Sequence, residues 1–196
     1  MKKIFFIFFS LFLSTNLFSQ NWDINILHQI NTKYPTNSAL KAISATAEPL
    51  TVAIPFGMVS VALITNNKKL ELNAYKLMGS IFVTAAITEG LKIAINRARP
   101  YETYPNLIYP YSYEAGKSFP SAHTSLAFAT ATSLFINNKK WYIALPAYGW
   151  ATSVAYSRLY LGEHYPTDVI AGAIVGAGSA WLSDWLTKKY FTKHKK

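Results

Sequence analysis

The chain contains no cysteine. Disulfides, thiolate nucleophiles and Cys-based zinc sites are excluded at once. Charge is also scarce: charged residues fill 14% of the 196 positions, against about 25% in an ordinary soluble domain. Acids are scarcest, with Asp plus Glu at 9 against Lys plus Arg at 19, for a net charge of +10. That balance suits an anionic partner: nucleic acid, anionic lipid or a phosphorylated substrate. No repeat of roughly 20–50 residues and no low-complexity tract occurs, which removes solenoids and arrays. What the chain has in quantity is apolar side chain, 51% of residues. One domain is expected at this length, either a membrane protein or an unusually apolar helical bundle.

The first 19 residues read as a signal peptide or an uncleaved signal anchor. Lys2 and Lys3 precede the apolar run Ile4 to Leu13, which is short for a span, and Ser19 suits a last residue before cleavage, although Leu17 is large for its position. Either form places the next segment outside. Residues 20–196 then form one membrane domain. Within 20–48, Trp22, Ile26 and Ile30 recur at helical spacing with Leu27, predicting an amphipathic helix. Asn37 or Ser38 is the candidate N-cap of a second.

Five apolar segments follow: Pro49 to Thr65, Tyr75 to Ile95, Ala122 to Ile136, Trp141 to Tyr156 and Asp168 to Leu186. Each is near the short end of the roughly 17–25 residues that a spanning helix needs. Lysine sorts between their connections. It is dense in Asn66 to Glu71, in Asn137 to Lys140 and in the tail 188–196, while 97–121 and 157–168 alternate with these. Five spans would put every lysine-rich stretch on the cytoplasmic side, agreeing with the exported N-terminus. The expected fold is an all-α, multi-pass transmembrane helical bundle. Its arginine-bearing loops face the periplasm or cell exterior. Gly172 and Gly176 form a GxxxG that lets another helix approach.

Three constellations occupy the outward ends. In "KIAINRARP", Lys92 and Arg99 are seven residues apart. On a helix ended by Pro100 they share one face, where two cations suit a tetrahedral oxyanion. Glu89 is placed to pair with Lys92. In "SFPSAHT", Ser121 and His123 sit where a helix begins, so free N–H groups and the helix dipole favour phosphate; as plain structure, Ser121 is an N-cap. In "SRLYLGEHYPTD", Arg158 adds a guanidinium, and Asp168 lies four residues after His164. A carboxylate on one imidazole nitrogen fixes the tautomer and frees the other as nucleophile; as plain structure, Asp168 is an acid in a first turn. Arg97 is an additional cation, either on phosphate or on headgroups. Tyr101 to Glu114, rich in tyrosine, is expected to border a lipid entrance or to form an aromatic belt. His28 and His194 have no catalytic context.

Taken in order, Lys92–x6–Arg99-Pro100, Pro120-Ser121-Ala122-His123 and Ser157-Arg158–x5–His164–x3–Asp168 resemble the three-part signature of the type-2 phosphatidic acid phosphatase / vanadium haloperoxidase superfamily. The "WDINILHQIN" start resembles its membrane-bound lipid phosphatases, and the likeness runs from about Trp22 to Leu186. One position departs: Ala122 stands where the family usually has glycine. Alanine keeps the N–H but does not take positive φ cheaply, so a helical backbone is expected there.

The resemblance implies that His164 attacks phosphorus to form a phosphohistidine and that Asp168 orients it. It implies that His123 protonates the leaving oxygen and then activates water. Lys92, Arg99, Arg158, Ser121 and the Ala122 N–H would hold the non-bridging oxygens, with no metal and no cofactor. The expected activity is hydrolysis of lipid phosphate monoesters or diphosphates: polyprenyl diphosphate, phosphatidate, phosphatidylglycerophosphate or lipid A phosphate. The alternatives are lipid phosphotransfer, vanadate-dependent halide oxidation and a non-catalytic membrane scaffold. Nucleic-acid binding is disfavoured because the lysines sort by membrane side rather than onto one element. The partners expected are a membrane and its lipid phosphate, with oligomeric state left open.

Overall fold

The computed structural model describes residues 16–191, and side chains within 22–190. The basic residues and apolar run of the expected signal segment, and His194, lie outside the described residues. Those described form helices: α1 (Asn16–Ile30), α2 (Ser38–Ala45), α3 (Ala47–Ile64), α4 (Lys68–Ile95), α5 (Pro100–Thr103), α6 (Ala122–Asn138), α7 (Trp141–Tyr160) and α8 (Pro166–Phe191). Among the described residues there is no strand.

Helix starts follow local chemistry. The Asn37 side chain accepts from Leu40 N at 3.1 Å and Asn67 from Leu70 N at 3.0 Å, capping α2 and α4. The end of α4 differs from expectation. It stops at Ile95, with Asn96 in a left-handed conformation (φ 52), and does not run on to Pro100. Asn is one of the few residues that takes this conformation readily. Arg99, preceding a proline, is extended, and Pro100 instead opens the single turn α5. Lys92 and Arg99 therefore do not share a helical face. The chain turn at Asn96 brings the two cations towards each other.

Helix α6 is the inner helix, packed against α8, α7, α4 and α3. Its buried residues are small and hydroxylic, among them Thr124, Ser125, Ala127, Thr130 and Ala131. Its hydroxyls bond within the bundle: Ser125 Oγ donates to Ser121 O at 2.9 Å and Thr130 Oγ1 to Leu126 O at 2.9 Å. Ala47, Ala127, Ala131, Ala151 and Val154 join α3, α6 and α7. The GxxxG serves this packing. A methyl at Gly172 would stand 2.8 Å from Ser121 O, and one at Gly176 would overlap the Ser125 carbonyl. Both glycines are needed for α8 to lie against α6.

By length and composition, Ala47–Ile64, Lys68–Thr103 and Pro166–Tyr190 can cross a membrane. Inner helix α6 has 17 residues, and its partners are helices, so its composition need not match lipid. Outward-facing Phe56, Leu63, Phe82, Ile93, Ile174 and Trp185 are each more than half exposed, a surface suited to hydrocarbon and not to water.

Helix α1 presents a different face from the one expected. Asp23, Ile24, Leu27 and Asn31 are buried, while Trp22 is 47% exposed. The rotation places a carboxylate inside, where it meets partners described below. Ile24 and Leu27 pack with Tyr101, Ile108 and Tyr165, so Tyr101 and Ile108 of the tyrosine-rich loop are core, while Tyr111 and Tyr113 stay exposed. Asn31 clamps this cap. It donates to the carbonyls of Tyr109 and Tyr160 at 3.0 and 2.9 Å and accepts from Tyr109 N at 2.8 Å.

Candidate active site

Three chain turns meet at one end of the bundle: 96–99 after α4, 112–121 before α6, and 161–165 between α7 and α8. Gly162, at φ +71, makes the last turn possible, and a Cβ there would stand 2.7 Å from Tyr109 O. His164 follows it and is 2% exposed. Its Nδ1 lies 2.8 Å from Ser118 O. A carbonyl oxygen only accepts, so Nδ1 carries the proton and Nε2 keeps the lone pair.

The Asp168 Oδ2 is 3.6 Å from the same Nδ1, beyond hydrogen-bond length. Asp168 was expected to fix the tautomer. The Ser118 carbonyl does so, and Asp168 acts on the ring through its charge. The Ser118 hydroxyl donates to Asp168 Oδ2 at 2.5 Å, and the Tyr165 N–H does so at 2.9 Å. Burial holds the His164 imidazole well below its ordinary value, at about 4, with the Asp168 carboxylate opposing the shift. The ring is therefore neutral around pH 7, the form that a nucleophile needs.

The other Asp168 oxygen accepts from Arg97 Nη1 at 2.7 Å, and Arg97 Nη2 reaches Asp23 at 2.8 Å. Thr167 joins them: its N–H donates to Asp23 at 3.0 Å, and its hydroxyl accepts from Arg97 at 2.7 Å. The Arg97 guanidinium also lies 3.8 Å over the Tyr165 ring. Arg97 is thus neither a phosphate grip nor a headgroup contact. It links α1 to Asp168.

Arg99 and Arg158 are each 2% exposed. Arg99 donates to the carbonyls of Ala115, Gly116 and Glu163 at 3.1–3.2 Å. Arg158, in the last turn of α7 and not in a loop, donates to Ser44 Oγ at 2.7 Å and pairs with Glu114 and Glu163. Its Nε–H is buried with no hydrogen-bond partner among the described residues, a donor left for a further acceptor. Burial raises the Glu163 carboxyl above its ordinary range despite Arg158. Burial acts the same way on Glu114, but Arg158, His123 and Arg99 together outweigh it and the net shift is downward. Lys92 Nζ donates to Lys117 O at 2.6 Å. The expected Glu89 partner makes no direct ion pair with it: Glu89 is exposed, and only its charge reaches Lys92.

Ser121 precedes α6, and no side chain caps the helix. Its oxygen accepts from Thr124 Oγ1 at 3.0 Å, which leaves its own proton to donate. Ala122 opens the helix in right-handed conformation, so the missing glycine costs nothing here. First-turn amides are anion donors by nature. The charges of Arg158, Glu114 and Arg99 reach His123, as does that of His164 when its ring is protonated, and His123 Nε2 lies 3.9 Å from Glu48 Oε1. Both imidazoles and all three cations thus converge at one end. Asp23, Ser118, Glu114 and Glu163 complete the site and were not singled out in sequence. Ser118 begins the quoted "SFPSAHT" and Glu163 lies within "SRLYLGEHYPTD". Proximity to those motifs was the signal available for them.

The model of the PAP2 superfamily matches residues 73–192. The bacitracin transport permease protein BcrC of Bacillus licheniformis is 31% identical over 155 residues, covering 76% of this chain and 72% of that protein. The lipid A 4'-phosphatase of Bacteroides thetaiotaomicron is 40% identical over 80 residues, 41% of this chain and 33% of that protein. In fold, the chain is similar to a transmembrane PAP2-type phosphatidylglycerolphosphate phosphatase from Bacillus subtilis. The TM-score is 0.70 at 23% identity, over 95% of this chain and 94% of the other.

Proposed function

Because the chain belongs to the PAP2 superfamily, we propose that it is a membrane phosphatase that hydrolyses lipid phosphate monoesters or diphosphates on the outward face. The observation that carries this reading is the tautomer of His164, with Nδ1 held by Ser118 O at 2.8 Å and Nε2 left as a neutral lone pair among buried cations. The relatives' names point the same way, to lipid A and to phosphatidylglycerolphosphate.

In this mechanism Nε2 of His164 attacks phosphorus in line, and the bond to the leaving oxygen breaks. His123, whose imidazole takes up a proton as the phosphate anion enters, gives that proton to the leaving oxygen. The phosphohistidine cation is stabilised by Asp168, itself steadied by Arg97. His123 then takes a proton from water, whose oxygen attacks phosphorus and returns His164 with release of phosphate. Lys92, Arg99 and Arg158, with Ser121 and the Ala122 amide, hold the non-bridging oxygens. Phosphoryl transfer rests mainly on such positioning and charge stabilisation. The sorting of lysine to the opposite end supports an outward-facing site.

The test is phosphate release from a panel of lipid phosphates by detergent-purified protein with EDTA present. Turnover of at least one is expected. His164→Ala should lower it by about a thousandfold or more. Unchanged activity in that variant would remove the mechanism.

A further inference from the structure

Glu114 stands where the anion of that reaction is expected. Its Oε1 accepts from Arg158 Nη2 at 3.0 Å, and its Oε2 lies 3.9 Å from Arg99 Nη2. Its charge also reaches Lys92 and His123. One carboxylate therefore faces two of the cations directly, and its charge reaches the third and the second imidazole. Glu163, the other carboxylate on Arg158, is different in kind. It is 1% exposed and accepts from Ser112 Oγ at 3.0 Å, so it is built in. Glu114 is 30% exposed, and its carboxylate is held by the guanidinium groups. It belongs to the loop segment before α6 and not to a helix. It can turn away towards solvent at the cost of partly screened ion pairs.

We propose that Glu114 is an internal competitor for the anion site, whose carboxylate must leave the Arg99–Arg158 pair before a substrate phosphate enters. The inference rests on the phosphatase reading for the identity of the site. A bound competitor weakens every anion by the same factor, the fraction of time that the site is open to it. For a dianionic terminal phosphate, which gains most from three cations, the loss is tolerable. For a monoanionic phosphodiester, the headgroup chemistry of ordinary bilayer lipids, it brings occupancy down where such lipids are in large excess. Glu114 thereby keeps diester headgroups out of the site.

The experiment measures binding, not turnover. Inorganic phosphate and dimethyl phosphate are titrated by calorimetry into the detergent-purified full chain, the parent beside Glu114→Gln and Glu114→Ala. Phosphate should bind about tenfold more tightly to both variants. Dimethyl phosphate should pass from no detectable binding to measurable binding. Unchanged or weaker phosphate binding in both variants overturns the proposal and makes Glu114 a structural partner of Arg158. Phosphate binding to none of the three proteins overturns it together with the phosphate site. Tighter binding without turnover of any lipid phosphate sustains the competitor and removes the phosphatase.

Discussion

Helix α8 carries a buried aspartate near each end, Asp168 and Asp184, which are 0% and 5% exposed. Both tie α8 to other parts of the bundle. Asp184 accepts from Lys76 Nζ at 2.9 Å and from Lys188 Nζ at 2.5 Å. Ser183 beside it donates to Lys76 O at 2.8 Å, so this end is stitched to α4 by point charges and one hydroxyl. Asp168 is held by one nitrogen of a guanidinium, a hydroxyl and a backbone amide, and it faces an imidazole at 3.6 Å. Burial and ion pairing are common to both ends, so neither identifies a site. What separates them is a neighbour able to become charged during a reaction. At Asp184 the charges are permanent, and the pair is a structural tie. At Asp168 the charge of the neighbour can change, and the carboxylate favours the charged form.

The largest effect that would separate the two ends is on turnover. Asp168→Asn should lower kcat by about a hundredfold or more while the protein still folds, because the cationic His164 adduct loses its counter-charge. Equal losses of activity in Asp168→Asn and Asp184→Asn would break the comparison.

A pH profile sharpens it. With His164 at about 4, activity should fall on the acid side as pH approaches that value, where the nucleophile takes up a proton. Asp168→Asn should move this limb to lower pH, since the carboxylate supports the protonated ring, and Asp184→Asn should leave it in place. The sign for stability follows from the same shift. The folded chain binds this proton less readily than the unfolded one. The His164 contribution is therefore complete above the ordinary value of 6.5 and is lost as pH falls from there to about 4.

A smaller effect is expected one step removed from the ring. Asp23→Asn should reduce kcat by about tenfold with little change in KM, because Arg97 then loses one anchor and Asp168 is less well oriented. A purely structural Asp23 would alter thermal stability and leave kcat near the parent value. The smallest change in turnover belongs to Asp184→Asn, with kcat near that of the parent and a stability loss of about 3 kcal/mol, seen as a lower melting temperature.

Much of this was legible in the sequence because spacing encodes it. His164 and Asp168 sit across one helix start, Ser121 to His123 sit at another, and lysine-rich and arginine-rich connections alternate. The departures came where contacts join distant parts of the chain. Asp23 lies 74 positions from Arg97, and no local period shows why α1 should turn a carboxylate inward. The end of α4 was hidden because the apolar pattern continues to Ile95 and the arginines follow without a break. A single Asn in left-handed conformation decided it. The inner helix α6 reads as weakly apolar because its surroundings are other helices.

The central claim is that the Nε2 lone pair of His164 forms the covalent bond to phosphorus. The most direct measurement is mass spectrometry of the purified protein, quenched during turnover of a lipid phosphate under conditions that preserve phosphohistidine. Phosphate is expected on the peptide carrying His164 and is expected to be absent from His164→Ala. Phosphate on another residue, or continued turnover by His164→Ala, would contradict it.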